Sequence, residues 1–305
     1  MTNSAIFVVL ICTLMSSLIE ANSNYDGKFE SCYNFNYMTV ECKLWNASAV
    51  VRIVKGPSQH FTLLFNTEDH PQELRKLNLT EGAYSNFLPI IQVVMTDVNM
   101  DGASGPFINQ RHLQYVQLFN NSLQEFPRDF FRGIPNLRQL EIYYQNFSTL
   151  SNHHLSEISE NLEFLSLTRS SVKNIEAEAF SKFHQLTYLN LSYNSLTELK
   201  PCMFNGLDSL VNLHLQGNKI TTIRPGTFVT VLNLSALSLD GNPLDSLPQK
   251  IFTYLENLEF VTFSGNQNEN TCKALLKGLN RLTYGFCGSI AITGPYKEVA
   301  CDCRC

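Results

Sequence analysis

The chain has 305 residues, a formal net charge of −5, nine cysteines and 21 phenylalanines. Its Lys and Arg residues form no basic run, which disfavours binding to nucleic acid and to anionic membranes. The sequence contains no nucleophile elbow, H-E-x-x-H motif, phosphate-binding glycine loop or dinucleotide fingerprint, so we expect no enzyme activity.

Residues 1–23 are predicted to be a signal peptide. Ala5 to Ile19 form a 15-residue apolar run, which is followed by polar residues and the small Ala21. A run of this length is typical of a secretory signal and is too short to span a bilayer comfortably. No later segment approaches 18 apolar residues, and no hydrophobic C-terminal tail indicates a lipid anchor. We therefore expect a soluble, secreted, extracellular protein.

Cys32 and Cys42 precede the repeats and are predicted to belong to an N-terminal cap. Loss of Cys12 with the signal would leave eight cysteines, and an even number in an oxidising compartment indicates disulfides. A bridge between Cys32 and Cys42 would seal the first apolar edge, where a terminal repeat has no neighbour. Eight cysteines allow on the order of 100 pairings, so other pairings stay open.

Residues 51–112 are expected to form degenerate repeats. Residues 43–112 number 70, which is close to three units of 24. The apolar spacing over residues 90–100 gives one such copy, and residues 61–65 and 74–79 indicate others without a fixed register.

From residue 113 onwards the pattern L-x-x-L-x-L-x-x-N-x-L recurs in steps of 24 or 25 residues. A period this constant indicates one supersecondary unit stacked on copies of itself. Two leucines that lie two residues apart point to one side of a short strand, and this apolar side is buried only when copies stack. The copies begin at Leu113, Leu137, Leu162, Leu186, Leu210, Leu234 and Leu258.

Two other positions recur in these copies. The ninth position holds an amide in most copies, and an amide can satisfy backbone donors and acceptors where the strand bends into a turn. Gln145 and Ser170 are weaker substitutes there, so the middle copies should be the least regular. Phenylalanines recur later in the copy and are expected to stack as a spine of Phe131, Phe180, Phe204, Phe228 and Phe252.

Over residues 113–266 the sequence resembles the extracellular, 24-residue class of leucine-rich repeat proteins. The resemblance implies an α/β solenoid of horseshoe shape, with a parallel β-sheet on the concave face, loops and short helices on the convex face, and disulfide caps. The segment from Cys32 to Cys42 with its degenerate repeats looks like arthropod leucine-rich immune proteins and Toll-type ectodomains. Pathogen sensing or complex formation in body fluid is what this resemblance implies.

Cys272 and Cys287 follow the last clear repeat and are predicted to close the C-terminal end. The tail from Cys301 to Cys305 places three cysteines within five residues. Pairing with Cys202, with the cap or with a second chain is favoured over metal binding, because the C-x-x-C spacing is missing. A disulfide-linked or non-covalent dimer through the tail is therefore one hypothesis. The predicted organisation is signal peptide, N-terminal cysteine cap, degenerate repeats, regular repeats, and C-terminal cap with tail, over residues 1–23, 24–50, 51–112, 113–268 and 269–305.

Six N-x-[ST] sequons predict a glycoprotein, and this enrichment fits secretion. Asn190 lies in the middle of a predicted strand on the concave face, where a glycan would obstruct docking. The predicted glycosylation sites are Asn46, Asn78, Asn120, Asn146, Asn190 and Asn233.

Strand residues that face away from the core are expected to form the ligand surface. Aromatic side chains concentrate in four successive repeats together with one arginine, whereas later repeats carry small and polar residues. This composition matches protein-binding hot spots. The alternative is that the aromatic rings pack on each other and only stiffen the sheet. The predicted ligand-binding residues are Tyr115, Phe119, Tyr143, Tyr144, Phe164, Arg169, Tyr188 and Tyr193.

The sequence thus favours a non-catalytic recognition module that binds a protein or glycan ligand on its concave face, in innate immunity. The alternative is a structural or adhesive protein of the extracellular matrix or of cell contacts that uses the same solenoid. No cofactor and no metal site is predicted, and the adjacent His153 and His154 are interpreted as surface residues.

Overall fold

The structure, a computed structural model, gives the backbone of four strands between residues 29 and 66 and most of residues 90–298. The described ranges are 29–36, 39–44, 50–55, 61–66, 90–98, 104–121, 123, 126–244, 246–263, 269–277, 279–287, 290–293 and 297–298. The predicted signal peptide, the sequons at Asn46 and Asn78, and the cysteines of the tail lie outside these ranges. The chain divides into two compact units, residues 1–141 with 157–159 and residues 142–156 with 160–305.

The first unit begins with an antiparallel meander of four strands, β1 (Phe29–Asn36), β2 (Thr39–Leu44), β3 (Val50–Lys55) and β4 (Phe61–Asn66). The antiparallel pairing of β3 and β4 differs from the degenerate parallel repeats that the sequence predicts from residue 51. The physical reason is connection length. Only five residues, 56–60, separate β3 from β4, whereas a parallel connection needs about a dozen or more.

The register of β1 and β2 places Cys32 directly opposite Cys42. Residues opposite each other in antiparallel strands have Cα atoms about 4.5–5.5 Å apart, and this separation lies within the range of disulfides. The backbone register therefore agrees with a Cys32–Cys42 disulfide, which stays a prediction.

The parallel pairing of the first unit starts between β4 and β5 (Ile90–Thr96), and β5 also pairs parallel with β6 (Tyr115–Phe119). Val93 and Met95 of β5 lie opposite Val116 and Leu118 of β6, and all four are fully buried. The degenerate copy at residues 90–100 therefore continues the apolar rows of the regular repeats. A 3₁₀ helix (Arg128–Phe131) and β7 (Gln139–Tyr143) follow.

In the second unit, each repeat contributes one strand to a parallel sheet. Leu189 lies opposite Leu213, Leu213 lies opposite Leu237, and each of the three is at most 1% exposed. This interior row confirms the stacking that the 24-residue period predicts. The sheet strands are β9 (Phe164–Ser166), β11 (Tyr188–Asn190), β13 (Asn212–His214), β15 (Ala236–Leu239), β16 (Phe260–Phe263) and β17 (Tyr284–Cys287).

Shorter elements of the second unit lie between these strands. They form two small parallel pairs, one of β8 (Thr149–Leu150) with β10 (Asn174–Ile175) and one of β12 (Glu198–Leu199) with β14 (Thr222–Ile223). The helix α1 (Asn152–Leu155) is capped at its N-terminus by Ser151, whose hydroxyl accepts a hydrogen bond from the His154 backbone N–H.

Buried asparagines join each repeat to the next. Asn218 donates from Nδ2 to the carbonyl oxygens of Leu191 and Leu215, both at 2.9 Å, and its Oδ1 accepts from the Leu196 N–H at 3.1 Å. Asn194 and Asn242 make the equivalent bonds. The ninth-position amides therefore satisfy backbone groups at the strand-to-turn bend. In the middle copies, Gln145 donates to the Tyr143 carbonyl, and the Ser170 hydroxyl donates to the carbonyls of Ile142 and Thr168.

The recurring phenylalanines are buried as predicted, each at most 2% exposed. The ring centroids of Phe204 and Phe228 lie 6.2 Å apart, and those of Phe228 and Phe252 lie 6.5 Å apart. Full burial of each such side chain contributes about 1.5–3 kcal/mol to stability. Phe204, Phe228 and Phe252 thus stack in the interior of the second unit.

The C-terminal end of the second unit consists of α2 (Glu269–Leu276), β17, β18 (Ile290–Thr293) and β19 (Lys297–Glu298). A disulfide joins Cys272 in α2 to Cys287 in β17. β18 pairs antiparallel with β17, which ends the series of parallel strands. No helix among the described residues is both long and apolar enough to cross a membrane.

Candidate functional site

The strands of the parallel sheet in the second unit, the main sheet, alternate between buried leucines and residues on an open face. In β11, Tyr188 and Asn190 are half-buried on either side of the fully buried Leu189. In β13, Asn212 and His214 hold the same positions. Because successive side chains of a strand point to opposite faces, these residues line one surface that no described element covers fully.

Three of the strand residues form an aromatic stack, Phe164, Tyr188 and His214. The rings of Phe164 and Tyr188 are nearly parallel, with an interplanar angle of 5° and centroids 4.2 Å apart. The His214 ring lies 5.0 Å from Tyr188. All three side chains are half-buried. For these residues the rings do pack on each other, so part of the predicted ligand surface also stiffens the sheet.

Three other residues form a second group, the turn ladder, made of Tyr144, Arg169 and Tyr193. The Arg169 Cζ atom lies 5.6 Å from the ring centroid of Tyr144 and 4.8 Å from that of Tyr193. Tyr144 is 46% exposed, Tyr193 is 51% exposed, and Arg169 is also exposed. A cation between two aromatic faces gains about 0.5–1 kcal/mol from each ring at an exposed site.

The turn ladder lies in the bend that follows the sheet strands and not on the strands. Arg169 and Tyr193 each come three residues after the end of β9 or β11. All three ladder residues have left-handed backbone, with φ of 55°, 55° and 56°. The sequence predicts the residues but not this position, because the left-handed conformation at non-glycine residues has no reliable signature in the repeat.

Gly217 continues the ladder and supports Tyr193. Its φ is +68°, and a Cβ atom added there would lie 2.5 Å from Cδ1 of Tyr193. Both facts favour glycine at this position, because a larger residue would be strained at this φ and would displace the tyrosine ring. The sequence signal is the pair Gly217 and Gly241 at the ladder position of the next two repeats, which the sequence-based prediction did not use.

Two predicted site residues, Tyr115 and Phe119, lie in the first unit. Burial, the charge of Glu141 and a hydrogen bond to that carboxylate together raise the pKa of Tyr115 to about 12. Gln117 and Gln139 also donate to Glu141, at 3.2 and 2.7 Å. These polar groups satisfy one another, and Phe119 is exposed near the end of β6.

The predicted site residues of the second unit are therefore distributed over two groups. Phe164 and Tyr188 belong to the aromatic stack, and Tyr144, Arg169 and Tyr193 form the turn ladder. Tyr143 ends β7 and is half-buried. His214 is the stack member that was not among the predicted ligand-binding residues, and burial lowers its pKa below 6.5.

The described sequons differ in exposure. Asn120, Asn146 and Asn233 are exposed. Asn190 is half-buried, and its Oδ1 accepts hydrogen bonds from the backbone N–H and hydroxyl of Ser192, at 2.9 and 2.5 Å. The described residues contain no cluster of three or more His, Cys, Asp and Glu side chains that could hold a metal ion.

Comparison with known proteins agrees with this geometry. The leucine rich repeat family model matches residues 160–220 and 209–267. No curated protein matches the chain. Among solved structures, the Toll–Spatzle complex, a molecular hub in Drosophila development and innate immunity, is similar. The TM-score is 0.57 and the sequence identity 16%, and the match covers 90% of this chain and 42% of that chain. A TLR13–ssRNA13 complex is also similar, with a TM-score of 0.50 and 19% identity over 69% of this chain and 35% of that chain.

This chain thus spans less than half the length of either of these two proteins. At such identities the similarity establishes a shared fold, whereas ligands depend on the residues grafted onto that fold.

Proposed function

Because this chain is a leucine-rich repeat protein that resembles Toll-type ectodomains, we propose that it is a non-catalytic recognition module for a protein or glycan ligand. The ligand binds the second unit, across the open sheet face and the adjoining turn ladder. The observation that carries this proposal is the ladder itself, which presents two tyrosines about half exposed with an arginine between them.

The rigidity of this surface supports the proposal, because it keeps the entropy lost on binding small. Association loses free energy when flexible side chains and loops become ordered at the interface. The sheet face is already held by stacked repeats, and the Phe164–Tyr188 stack fixes the rings at its centre. Tyrosine and arginine are enriched at the residues that contribute most to binding energy. A rigid face with exposed rings at its edge therefore suits recognition.

We further propose that the protein is secreted and takes part in innate immunity. Secretion is supported by the apolar run from Ala5 to Ile19 and by the Cys272–Cys287 disulfide, which is stable only in an oxidising compartment. Exposed sequons at Asn146 and Asn233 fit the same compartment. The immune role rests on the resemblance to Toll-type ectodomains.

The test compares capture of ligands by the parent and by a double variant, Tyr144→Ser with Tyr193→Ser. The full chain, secreted from eukaryotic cells, is immobilised and exposed to extracellular fluid of its source. We expect the double variant to lose the bound species that the parent retains, with little change in melting temperature, because the replaced rings are about half exposed and lie outside the buried rows.

Tyr254→Ser is the matched control, because Tyr254 is a tyrosine that is 62% exposed outside the sheet face and the ladder. This control variant should retain the parent's bound species. Equal capture by all three proteins, or loss in the control as well, would refute the proposed surface.

A further inference from the structure

We propose that Arg169 anchors a carboxylate from an acidic segment of a protein partner. This inference rests on the proposed function and names the chemistry of its ligand. The site consists of the turn ladder, with Arg169 as the ion-pairing group and the rings of Tyr144 and Tyr193 as its walls.

The guanidinium of Arg169 retains its hydrogen-bond donors. Its Cζ atom lies 5.6 and 4.8 Å from the centroids of the two tyrosine rings. Within the part of the chain that the structure describes, Arg169 makes no ion pair, whereas Arg128 and Arg224 each pair with a carboxylate. Every N–H group of a guanidinium is a donor, and those of the exposed Arg169 side chain make no hydrogen bond to another described residue, so they are available to a ligand.

The backbone around this arginine is fixed before any ligand binds. The Arg169 N–H donates to the Ser192 carbonyl at 3.1 Å, and the Tyr193 N–H donates to the Gln216 carbonyl at 2.8 Å. Gly217 lies directly beneath the Tyr193 ring. Each ladder residue is thus tied to the next repeat. Because the fork of an arginine is planar and already oriented here, little side-chain freedom is lost when it pairs.

Charge and geometry together favour a carboxylate. A guanidinium edge binds a carboxylate through two parallel N–H···O bonds. The chain has a net charge of −5 and no basic run, whereas binding to a nucleic-acid backbone needs several cations side by side. One arginine with aromatic neighbours matches one acidic side chain.

The strength of an exposed ion pair indicates that the acid belongs to a longer segment. An ion pair in water contributes only about 0–1 kcal/mol, so a free small anion would bind too weakly to matter. A peptide that also covers the two exposed rings excludes water from the pair and strengthens it. The partner we infer is therefore a protein segment with an Asp or Glu flanked by residues that pack on tyrosine.

A random-peptide library displayed on phage tests this inference with the full chain as target. We expect the selected peptides to be enriched in Asp and Glu. Arg169→Gln should weaken binding of the corresponding synthetic peptides by about tenfold or more, since a bidentate charged pair is lost. Arg169→Lys should restore only part of this loss, because lysine lacks the planar fork.

Lys173→Gln is the matched control, because it removes one exposed positive charge from the same repeat and should leave peptide binding unchanged. Replacing the acidic residue of a peptide by its amide should abolish the difference between parent and Arg169→Gln. The selection is repeated with Asn146→Gln, which removes a predicted glycan two residues from Tyr144.

Three outcomes would overturn the inference. They are failure to select any peptide, selection of peptides without acidic residues, and acidic peptides that bind Arg169→Gln as tightly as the parent. Peptides that depend on Tyr144 and Tyr193 but not on Arg169 would leave the proposed function intact. Peptides that depend on none of the three residues would count against the proposed function as well.

Discussion

At the residue scale, the left-handed backbone after each sheet strand decides which side chains reach solvent. Tyr144, Arg169 and Tyr193 adopt it without being glycine, with φ near 55°, although this conformation costs an ordinary residue about 1–2 kcal/mol. Gly217 and Gly241 hold the same position in later repeats. At this bend the rings of Tyr144 and Tyr193 are exposed, beside the ends of the sheet strands.

The half-buried imidazole of His214 predicts a loss of stability in acid. Its pKa is below 6.5 in the folded chain because burial disfavours the charged form. The unfolded chain therefore binds a proton first as pH falls, and the free energy of unfolding decreases from about pH 7 downwards until the folded-state pKa is passed. His214→Gln should reduce this slope, as measured by urea unfolding at several pH values.

Measurement of the same variant at higher pH provides the control. At about pH 8 the imidazole is neutral in both states, so the difference between parent and His214→Gln there reports only the lost contact with Tyr188. Parallel stability curves for the two proteins at all pH values would show that His214 does not carry the effect.

At the element scale, the turn after each strand depends on its buried asparagine. Asn194, Asn218 and Asn242 each serve backbone groups of their own repeat and of the preceding one. In the repeat that contains α1, Gln145 holds this position and donates to the Tyr143 carbonyl. The asparagines therefore set the register between neighbouring repeats, in addition to the apolar rows.

Asn218→Leu tests this role, since leucine has a similar size but makes no hydrogen bonds. It leaves the Leu196 N–H without its acceptor, whereas the carbonyls of Leu191 and Leu215 keep the hydrogen bonds that Asn194 and Asn242 donate. A buried donor left unsatisfied costs about 1–3 kcal/mol, so we expect a loss of about this size in urea unfolding.

Asn212→Leu provides the comparison, because it makes the same chemical change on the open face of β13. Substitutions at such partly exposed sites usually change stability by less than about 0.5 kcal/mol. Equal losses for Asn218→Leu and Asn212→Leu would mean that the asparagine bonds do not carry the predicted energy.

At the scale of the whole molecule, each end of a solenoid leaves one repeat without a neighbour. In the first unit, β4 pairs antiparallel with β3 and parallel with β5, so it joins the meander to the parallel series. At the other end, β17 receives the antiparallel β18, and the Cys272–Cys287 disulfide fastens α2 beside it. The two ends are thus closed by different elements.

Removal of the disulfide by Cys272→Ser with Cys287→Ser should open the C-terminal end first. Its two cysteines are 15 residues apart, and a loop of this length corresponds to about 3 kcal/mol of stabilisation. Because repeats contact only their neighbours, hydrogen exchange should increase in β16 and β17 while β9 and β11 stay protected.

Cys202→Ser is the control for this experiment, since Cys202 is exposed and forms no disulfide with another described residue. It should leave exchange unchanged in all four strands. A uniform increase along the second unit in the double serine variant would contradict the local role of the disulfide.

The sequence by itself determined the period, the buried rows through Leu189, Leu213 and Leu237, the phenylalanine spine and the amide position of the turn. These features are set by local spacing, which repeats in every copy and leaves one way to bury the apolar side. The tertiary structure alone decided that β1 to β4 pair antiparallel and that Phe164 stacks while Tyr193 is exposed. Both depend on which residues of other strands or repeats lie alongside, and this information is not contained in the spacing within a single segment.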